Sequence, residues 1–167
     1  LPEEQVAEDE RIDAEQVARA RRWLASSDRQ QRIAGAEQLS AYPTAEAEHL
    51  AIHALAMDRD AAVRGAAAQS LESFERPSAA AIGALLAALQ DPDAAVRMSA
   101  LSTLQEYLAD DTLETGSHAK VVAGLRKLRN NRRVDKQTRH WVAAFLSDLE
   151  PARPVERTGR GGPCSPI

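Results

Sequence analysis

An internal repeat constrains the fold of this chain more than any other feature of its sequence. Residues 58–71 read DRDAAVRGAAAQSL and residues 91–104 read DPDAAVRMSALSTL, so eight of fourteen positions are identical at an offset of 33. The same frame continues upstream at an offset of 32 and downstream at an offset of 42. A unit of this length buries its apolar face only by stacking on similar units. The sequence therefore predicts four stacked units.

Each unit is predicted to be a pair of helices. The second helix of a unit follows an Asp, a residue type whose carboxylate accepts hydrogen bonds from the free amides of a first helical turn. Apolar residues then recur at helical spacing. Thr44, Ser78 and Ser117 are predicted to cap first helices. The predicted helices span residues 13–26, 29–41, 45–57, 60–75, 79–90, 93–109, 118–130 and 135–149.

The composition favours an all-α fold. Hydrophobic residues make up 44% of the 167 residues but aromatic residues only 4%, and 33 residues are alanine. Alanine suits closely packed helices, whereas sheets favour β-branched and aromatic residues. We therefore predict an α-solenoid over residues 13–149, preceded by an acidic segment at 1–12 and followed by a flexible tail with Gly and Pro at 150–167.

The pattern DxDxxVRxxA at the start of the second helices resembles the HEAT repeat superfamily, most of all the short HEAT-like repeats first described in phycobilisome lyases. The resemblance covers roughly residues 13–149. It implies that the second helices line a concave face. It indicates the fold far more than the function, because the superfamily includes scaffolds, nuclear transport factors, chromophore lyases and DNA glycosylases.

Asp and Arg recur four residues apart in every unit. The two residues lie on one face of a helix. We interpret the pairs as structural: each Asp caps its helix, and the Asp and Arg pair with each other or between units to fix the stacking. A ladder of anion-binding arginines is the alternative. The pairs are Asp28/Arg32, Asp60/Arg64, Asp93/Arg97 and Asp135/Arg139.

Rows of mixed, mostly uncharged residues are predicted to face away from the core on the second helices. Such rows fit a protein surface or an extended peptide better than a highly charged polymer, although an ordinary solvated surface is the alternative. The candidate partner-binding residues are Gly65, Gln69, Glu72, Met98, Ser102, Gln105 and His140.

Two histidines, His49 and His53, form the candidate metal site. They lie four residues apart on a predicted first helix, so both rings can reach one metal ion. An offset of 33 aligns them with Ile82 and Leu86, which are apolar, so satisfied structural histidines are the alternative. No third ligand is evident.

The charges are separated along the chain. Residues 1–16 carry a net charge of −6 and residues 126–140 a net charge of +6, although the whole chain carries −4. The basic patch is predicted to be a solvated face, with an acidic protein or nucleic acid as alternative partners. It comprises Arg126, Lys127, Arg129, Arg132, Arg133 and Lys136.

Familiar catalytic motifs are missing from the sequence. It contains neither a GxSxG elbow nor a GxxxxGK[ST] phosphate loop, and its single cysteine, Cys164, has no CxxC partner. No apolar run reaches the roughly 18 residues that a membrane helix needs. We expect a soluble protein, cytoplasmic or periplasmic. Since the sequence begins at Leu1, we also expect that an upstream segment, such as a signal peptide, has been removed.

The predicted function is a non-enzymatic scaffold or adaptor that binds a protein partner through the concave second-helix face, without a cofactor. A metal, haem or small-ligand carrier using His49 and His53 is the first alternative. A chromophore-lyase-type enzyme, suggested only by the resemblance, and a nucleic-acid binder using the basic last unit are further alternatives. Nucleic acid and membrane are not the expected partners.

Overall fold

The computed structural model describes residues 3–109, 113 and 115–149. This part of the chain contains eight α-helices and no strand, which confirms the predicted all-α solenoid. Short 3-10 turns at Leu39–Ala41 and Leu71–Ser73 continue the second and fourth helices. The helices are α1 Glu3–Leu24, α2 Arg29–Gln38, α3 Ala45–Met57, α4 Ala61–Ser70, α5 Ala79–Ala88, α6 Ala94–Ala109, α7 Thr115–Asn130 and α8 Lys136–Leu149.

The helices form two layers of stacked hairpins. The first helices of successive units, α1, α3, α5 and α7, contact one another in that order, and so do the second helices α2, α4, α6 and α8. Within each unit the two helices also pack together. Each unit therefore buries its apolar face against its neighbours, as expected for a solenoid.

The core lies between the two layers and is built from aliphatic and small side chains. Leucines fill its centre, while alanines at the helix contacts let the backbones approach closely. Fully buried members include Leu39, Leu71, Leu85, Leu104, Leu125, Ala36, Ala51, Ala67, Ala81 and Ala100.

Polar caps set where most helices begin. The Asp28 carboxylate accepts from the Gln30 amide at 2.7 Å, and the Thr44 hydroxyl accepts from the Ala47 amide at 3.2 Å. Two predicted starts are wrong. The helix predicted from residue 118 already begins at Thr115, so Ser117 lies inside α7, and α1 begins at Glu3 within the segment predicted to precede the repeats.

The caps also correct the alignment of the first helices. Thr44 and Ser78 cap α3 and α5 and are 34 residues apart, whereas the second-helix caps Asp60 and Asp93 are 33 apart. The spacing from the first-helix cap to the second-helix cap is thus one residue shorter in the third unit than in the second, because α5 is shorter than α3 although the connection after it is longer. The offset of 33 holds only for the second helices.

Helices α1 and α2 approach each other closely at Gly35. A Cβ atom at this position would lie 3.0 Å from three atoms of α1: the Ala20 carbonyl oxygen, the Leu24 amide nitrogen and the Trp23 Cβ. Two of these are backbone atoms, which move only with the whole helix. By contrast, nothing lies within 4 Å of a Cβ at Gly83 on the exposed side of α5.

Alanine substitutions at these two glycines should have opposite effects on stability. Gly35→Ala forces α1 and α2 apart and should lower the free energy of unfolding by about 2 kcal/mol. Gly83→Ala meets no neighbour and should raise it by about 0.8 kcal/mol, because alanine favours the helix. Urea unfolding followed by circular dichroism measures both. Equal effects of the two substitutions would contradict this packing.

Candidate protein-interaction surface

A groove of about 570 Å³ crosses three successive second helices, α2, α4 and α6. The buried residues Gly65 and Ala66 form the floor of the groove at its middle. The exposed side chains of Glu37 and Gln69 lie beside them. A Cβ at Gly65 would lie 3.7 Å from the Ser99 Oγ, which is an ordinary contact. A larger residue at this position would therefore not clash with α6. The effect of glycine here is to make the groove deeper.

The groove continues toward the C-terminal end of α2. A smaller cavity of about 150 Å³ shares Glu37, Ala66 and Gln69 with it and adds Ser40 and Ser70. The second helices thus present one extended depression.

Two of the predicted partner-binding residues, Gly65 and Gln69, line this groove. The other five do not: Glu72, Met98, Ser102 and His140 are exposed outside it, and Gln105 is half-buried.

The lining residues Ser99, Ala62 and Arg29 were not predicted. Ser99 was missed because the repeat offset of 33 aligns Gly65 with Met98. In the structure the residue of α6 that lies against Gly65 is instead Ser99, the next residue along the chain. Which side of a helix faces its neighbour depends on packing, and the repeat offset alone does not give it.

An ion pair stands at the N-terminal end of the groove. Arg29 Nε donates to Asp60 Oδ2 at 2.7 Å, and Asp60 Oδ1 caps α4 by accepting from the Ala62 amide at 2.8 Å. The hydrogen bond from Arg29, then that from Ala62, holds the pKa of Asp60 below its ordinary value. Asp60 thus remains an anion that is paired with Arg29 beside the groove.

Arginines that are buried or half-buried connect each unit to the next. Arg32 Nε donates to Asp58 Oδ2 at 3.0 Å. Arg64 forms a bidentate ion pair with Asp91, in which its Nε and Nη2 donate to the two carboxylate oxygens at 2.7 and 2.8 Å. These acceptors come from the following unit, two residues before its cap, and not from the capping Asp of the same helix.

The third connection has a different acceptor. Arg133 occupies the position two residues before the Asp135 cap, where the second and third units have Asp. Arg97 Nε instead donates to the Thr138 Oγ1 at 2.7 Å and lies 3.3 Å from Asp135 Oδ2. The polar connection is thus kept with other residues.

The same guanidinium groups also bind carbonyls within their own unit. Nη1 of Arg64 donates to the Asp58 carbonyl at 3.0 Å, and Nη1 of Arg97 donates to the Asp91 carbonyl at 2.8 Å. Since acceptors of the protein occupy these groups, the geometry favours the structural interpretation over an anion-binding ladder.

His49 and His53 lie exposed on α3. The corrected alignment of the first helices pairs them with Gly83 and Ala87, which are also exposed. Their predicted equivalence with core positions is therefore wrong, and no buried partner is needed to explain them. In the described part of the chain, no group of three His, Cys, Asp or Glu side chains is placed to hold a metal ion.

His53 contributes to a cavity of about 300 Å³ at the C-terminal ends of α1 and α3. Leu24, Leu50 and the 70%-exposed Met57 line its apolar side, and Arg21 and Asp58 add charge.

The predicted basic patch surrounds the turn between α7 and α8. Asn131 Oδ1 accepts from the Arg133 amide at 3.0 Å, which orders the turn, while the buried Val134 anchors it to the core. The side chains of Arg132, Arg133 and Lys136 are exposed, as are those of Arg126 and Lys127, and Arg129 is half-buried. The patch therefore lies in the last unit, away from the groove.

Comparison with known proteins identifies the repeats. A family model described as HEAT repeats matches residues 47–147, about 60% of the chain. Such repeats commonly mediate protein–protein interactions as scaffolds. No curated protein matches the sequence. None of the helices among the described residues has both the length and the hydropathy to cross a membrane.

The contacts of Arg32, Arg64 and Arg97 with the following units form a series that we call the arginine ladder. Removing one arginine of this ladder should destabilise the array. Arg64→Ala leaves the half-buried Asp91 carboxylate without its partner, so we expect the free energy of unfolding to fall by about 2 kcal/mol. The matched control, Arg11→Ala, breaks an exposed ion pair with Glu8 and should leave stability nearly unchanged. Urea unfolding distinguishes them. A loss for Arg64→Ala no larger than that for Arg11→Ala would contradict the role of the ladder.

Acid should weaken the same connection. Burial opposes the charged form of Asp91, but hydrogen bonds from Arg64 and the Asp93 amide outweigh burial and hold the pKa of Asp91 below its ordinary value of 3.8. The unfolded chain therefore takes up protons first as the pH falls. The stabilisation is present above about pH 4 and is lost as the pH falls through the folded-state pKa.

We therefore expect the free energy of unfolding to decline as the pH falls below about 4, and to decline less in Asp91→Asn. Urea titrations at a series of pH values measure both slopes. An equal decline in the variant would show that Asp91 is not a source of the pH dependence.

Proposed function

This chain belongs to the HEAT repeat family, and from that premise we propose that it is a non-enzymatic scaffold that binds a protein partner through the groove on α2, α4 and α6. The observation that carries the proposal is the continuity of this groove across three successive units. A surface of that kind is how stacked repeats gather weak contacts into an extended interface.

The shape of the groove favours an extended polypeptide segment. Its small central residues, Gly65 and Ala66, allow a backbone to approach α4 closely, in the way that small residues do at helix contacts. A segment lying across all three helices would contact each unit in turn. A compact small molecule would use only a part of this open surface.

The polar residues of the groove match the needs of such a segment. The exposed Gln69 amide offers both donors and an acceptor, which suits a peptide backbone with its alternating N–H and C=O groups. Ser99 adds a hydroxyl, and the half-buried Ile33 offers an apolar contact. A partner of mixed polarity therefore fits better than a polyanion, since Glu37, Asp60 and Asp93 also line the groove.

A photo-crosslinking amino acid at position 69 tests this function. We expect it to form adducts with a discrete protein in a nuclease-treated native extract, and the adducts should be lost on competition with unlabelled chain. The same amino acid at Ala87, which is exposed on α5 in the other layer, is the matched control. Adducts of equal yield and identity from both positions would contradict the groove as the interface.

Gln69→Arg provides the complementary loss of function. The arginine fills the groove and should weaken capture of the crosslinked protein by about tenfold or more, as expected for a residue at the centre of an interface. Ala87→Arg should retain capture. Circular dichroism checks that both variants stay folded. Full retention by a folded Gln69→Arg variant would overturn the proposal.

A further inference from the structure

The arginine ladder ends at a group that lacks an acceptor. Arg32, Arg64 and Arg97 each donate their Nε to a side chain of the following unit. The equivalent atom of the last unit, Arg139 Nε, is buried and has no hydrogen-bond partner within the described part of the chain. A buried donor without an acceptor is costly, so the ladder is incomplete at this end.

The outer side of the last unit keeps the features used for stacking elsewhere. By the repeat offsets, Arg139 and Ala143 of α8 correspond to Arg64 and Ala68 of α4. Ala68 is covered by α6, whose Thr103 hydroxyl donates to the Ala68 carbonyl at 2.9 Å. Ala143 is small and half-buried, so another helix has room to approach it. This end of the array is thus shaped to receive a further element.

The chemistry of this end calls for an acidic element. Residues 126–140 carry a net charge of +6. The exposed Arg132, Arg133 and Lys136 lie in the turn before Arg139 and at the start of its helix. A carboxylate is also what Arg64 binds in the middle of the array.

An acidic helix projects from the opposite end of the same chain. α1 has 22 residues but its partner α2 only 10, and α1 packs into the core through its C-terminal half, where Val17 and Ala20 are buried. In the N-terminal half, every side chain described from Gln5 to Ile12 is exposed. A helical extension of this length is marginal in water without a packing partner.

The exposed half of α1 has the composition of a docking helix. Residues 1–16 carry a net charge of −6, equal and opposite to that of the basic end. Among its acidic side chains, Val6 and Ile12 are 43% and 41% exposed. Within one molecule, two units separate the acidic half of α1 from the basic end at α8. The acidic half of α1 therefore contacts a basic end only in another molecule.

We propose that a second copy of this chain docks the N-terminal half of its α1 on the outer face of α8, where one of its carboxylates accepts a hydrogen bond from Arg139 Nε. The contact is head-to-tail, so a pair of molecules keeps one free acidic end and one free basic end. Such heterologous contacts add molecules in sequence, giving open chains or closed rings. This association uses the ends of the array and leaves the α2, α4 and α6 groove accessible.

Sedimentation velocity over a roughly hundredfold range of concentration tests the association. We expect species larger than a monomer to grow with concentration at low salt, and the affinity to fall by about tenfold or more at high salt because the contact is electrostatic. A chain that stays monomeric throughout the low-salt series overturns the proposal, as does association that is insensitive to salt.

Charge reversal at each end identifies the surfaces. Asp9→Lys with Glu10→Lys reduces the net charge of residues 1–16 from −6 to −2, and Arg132→Glu with Arg133→Glu reduces that of residues 126–140 from +6 to +2. Each double variant alone should associate more weakly than the unaltered chain. Mixing them should restore association, because the unaltered acidic end of one variant then meets the unaltered basic end of the other. Failure of the mixture to associate, with both variants folded by circular dichroism, overturns the proposed pairing.

Arg139→Gln tests the position of the contact. Since Arg139 Nε has no acceptor in the described chain, the substitution should change the melting temperature little but weaken association about tenfold. Arg129→Gln, at a half-buried residue of the basic patch outside the ladder, is the matched control and should weaken it less. Equal effects of the two variants would show general charge attraction and overturn docking at Arg139.

Discussion

The buried guanidinium between successive units is the contact on which the stacking depends. Arg64 binds the Asp58 carbonyl in its own unit and both carboxylate oxygens of Asp91 in the next, so one planar group joins the turn of one unit to the turn of its neighbour. A charged group withdrawn from water requires all of these acceptors together. The contact therefore fixes the rotation and the register between units.

Such a directional contact matters because the rest of the interface between units consists mainly of aliphatic side chains, whose contacts are not directional. Alanine and leucine provide most of the buried surface, and small side chains pack in several registers at similar cost. The same small residues explain the groove, since Gly65 and Ala66 leave a depression between rows of longer polar side chains. The stacking geometry thus depends on directional polar contacts at the turns, and the groove depends on small residues along the helices.

The sequence predicts the second helices well and the first helices less well. The carboxylates of Asp60 and Asp93 cap α4 and α6, so these residues predict where the two helices begin. The repeat is also strongest in the segments that contain them. In the first helices the register depends on which side chains become buried, and it is shifted because the spacing between the two caps of the third unit is one residue shorter than in the second. His49 was consequently aligned with a core position although it lies on the exposed side of α3.

The candidate interface was also only partly predictable. Gln69 follows from the repeat offset, but Ser99 depends on how α6 is rotated against α4, which only the packing determines. The replacement of Asp by Arg133 before the last cap is visible in the sequence, yet its consequence, the turn of Arg97 toward Thr138, is not. Local chemistry therefore predicts caps and repeats, while facing residues require the assembled array.

The two proposed surfaces are arranged so that each strengthens the other. The groove lies along the side of the array, whereas the charged surfaces lie at its ends. Joining molecules end to end repeats the groove at regular intervals without covering it. A partner with several copies of the recognised segment then binds the second groove at a high effective concentration, so modest contacts in one groove suffice for stable binding. The scarcity of aromatic residues in the groove, which limits the affinity of a single site, is consistent with this arrangement.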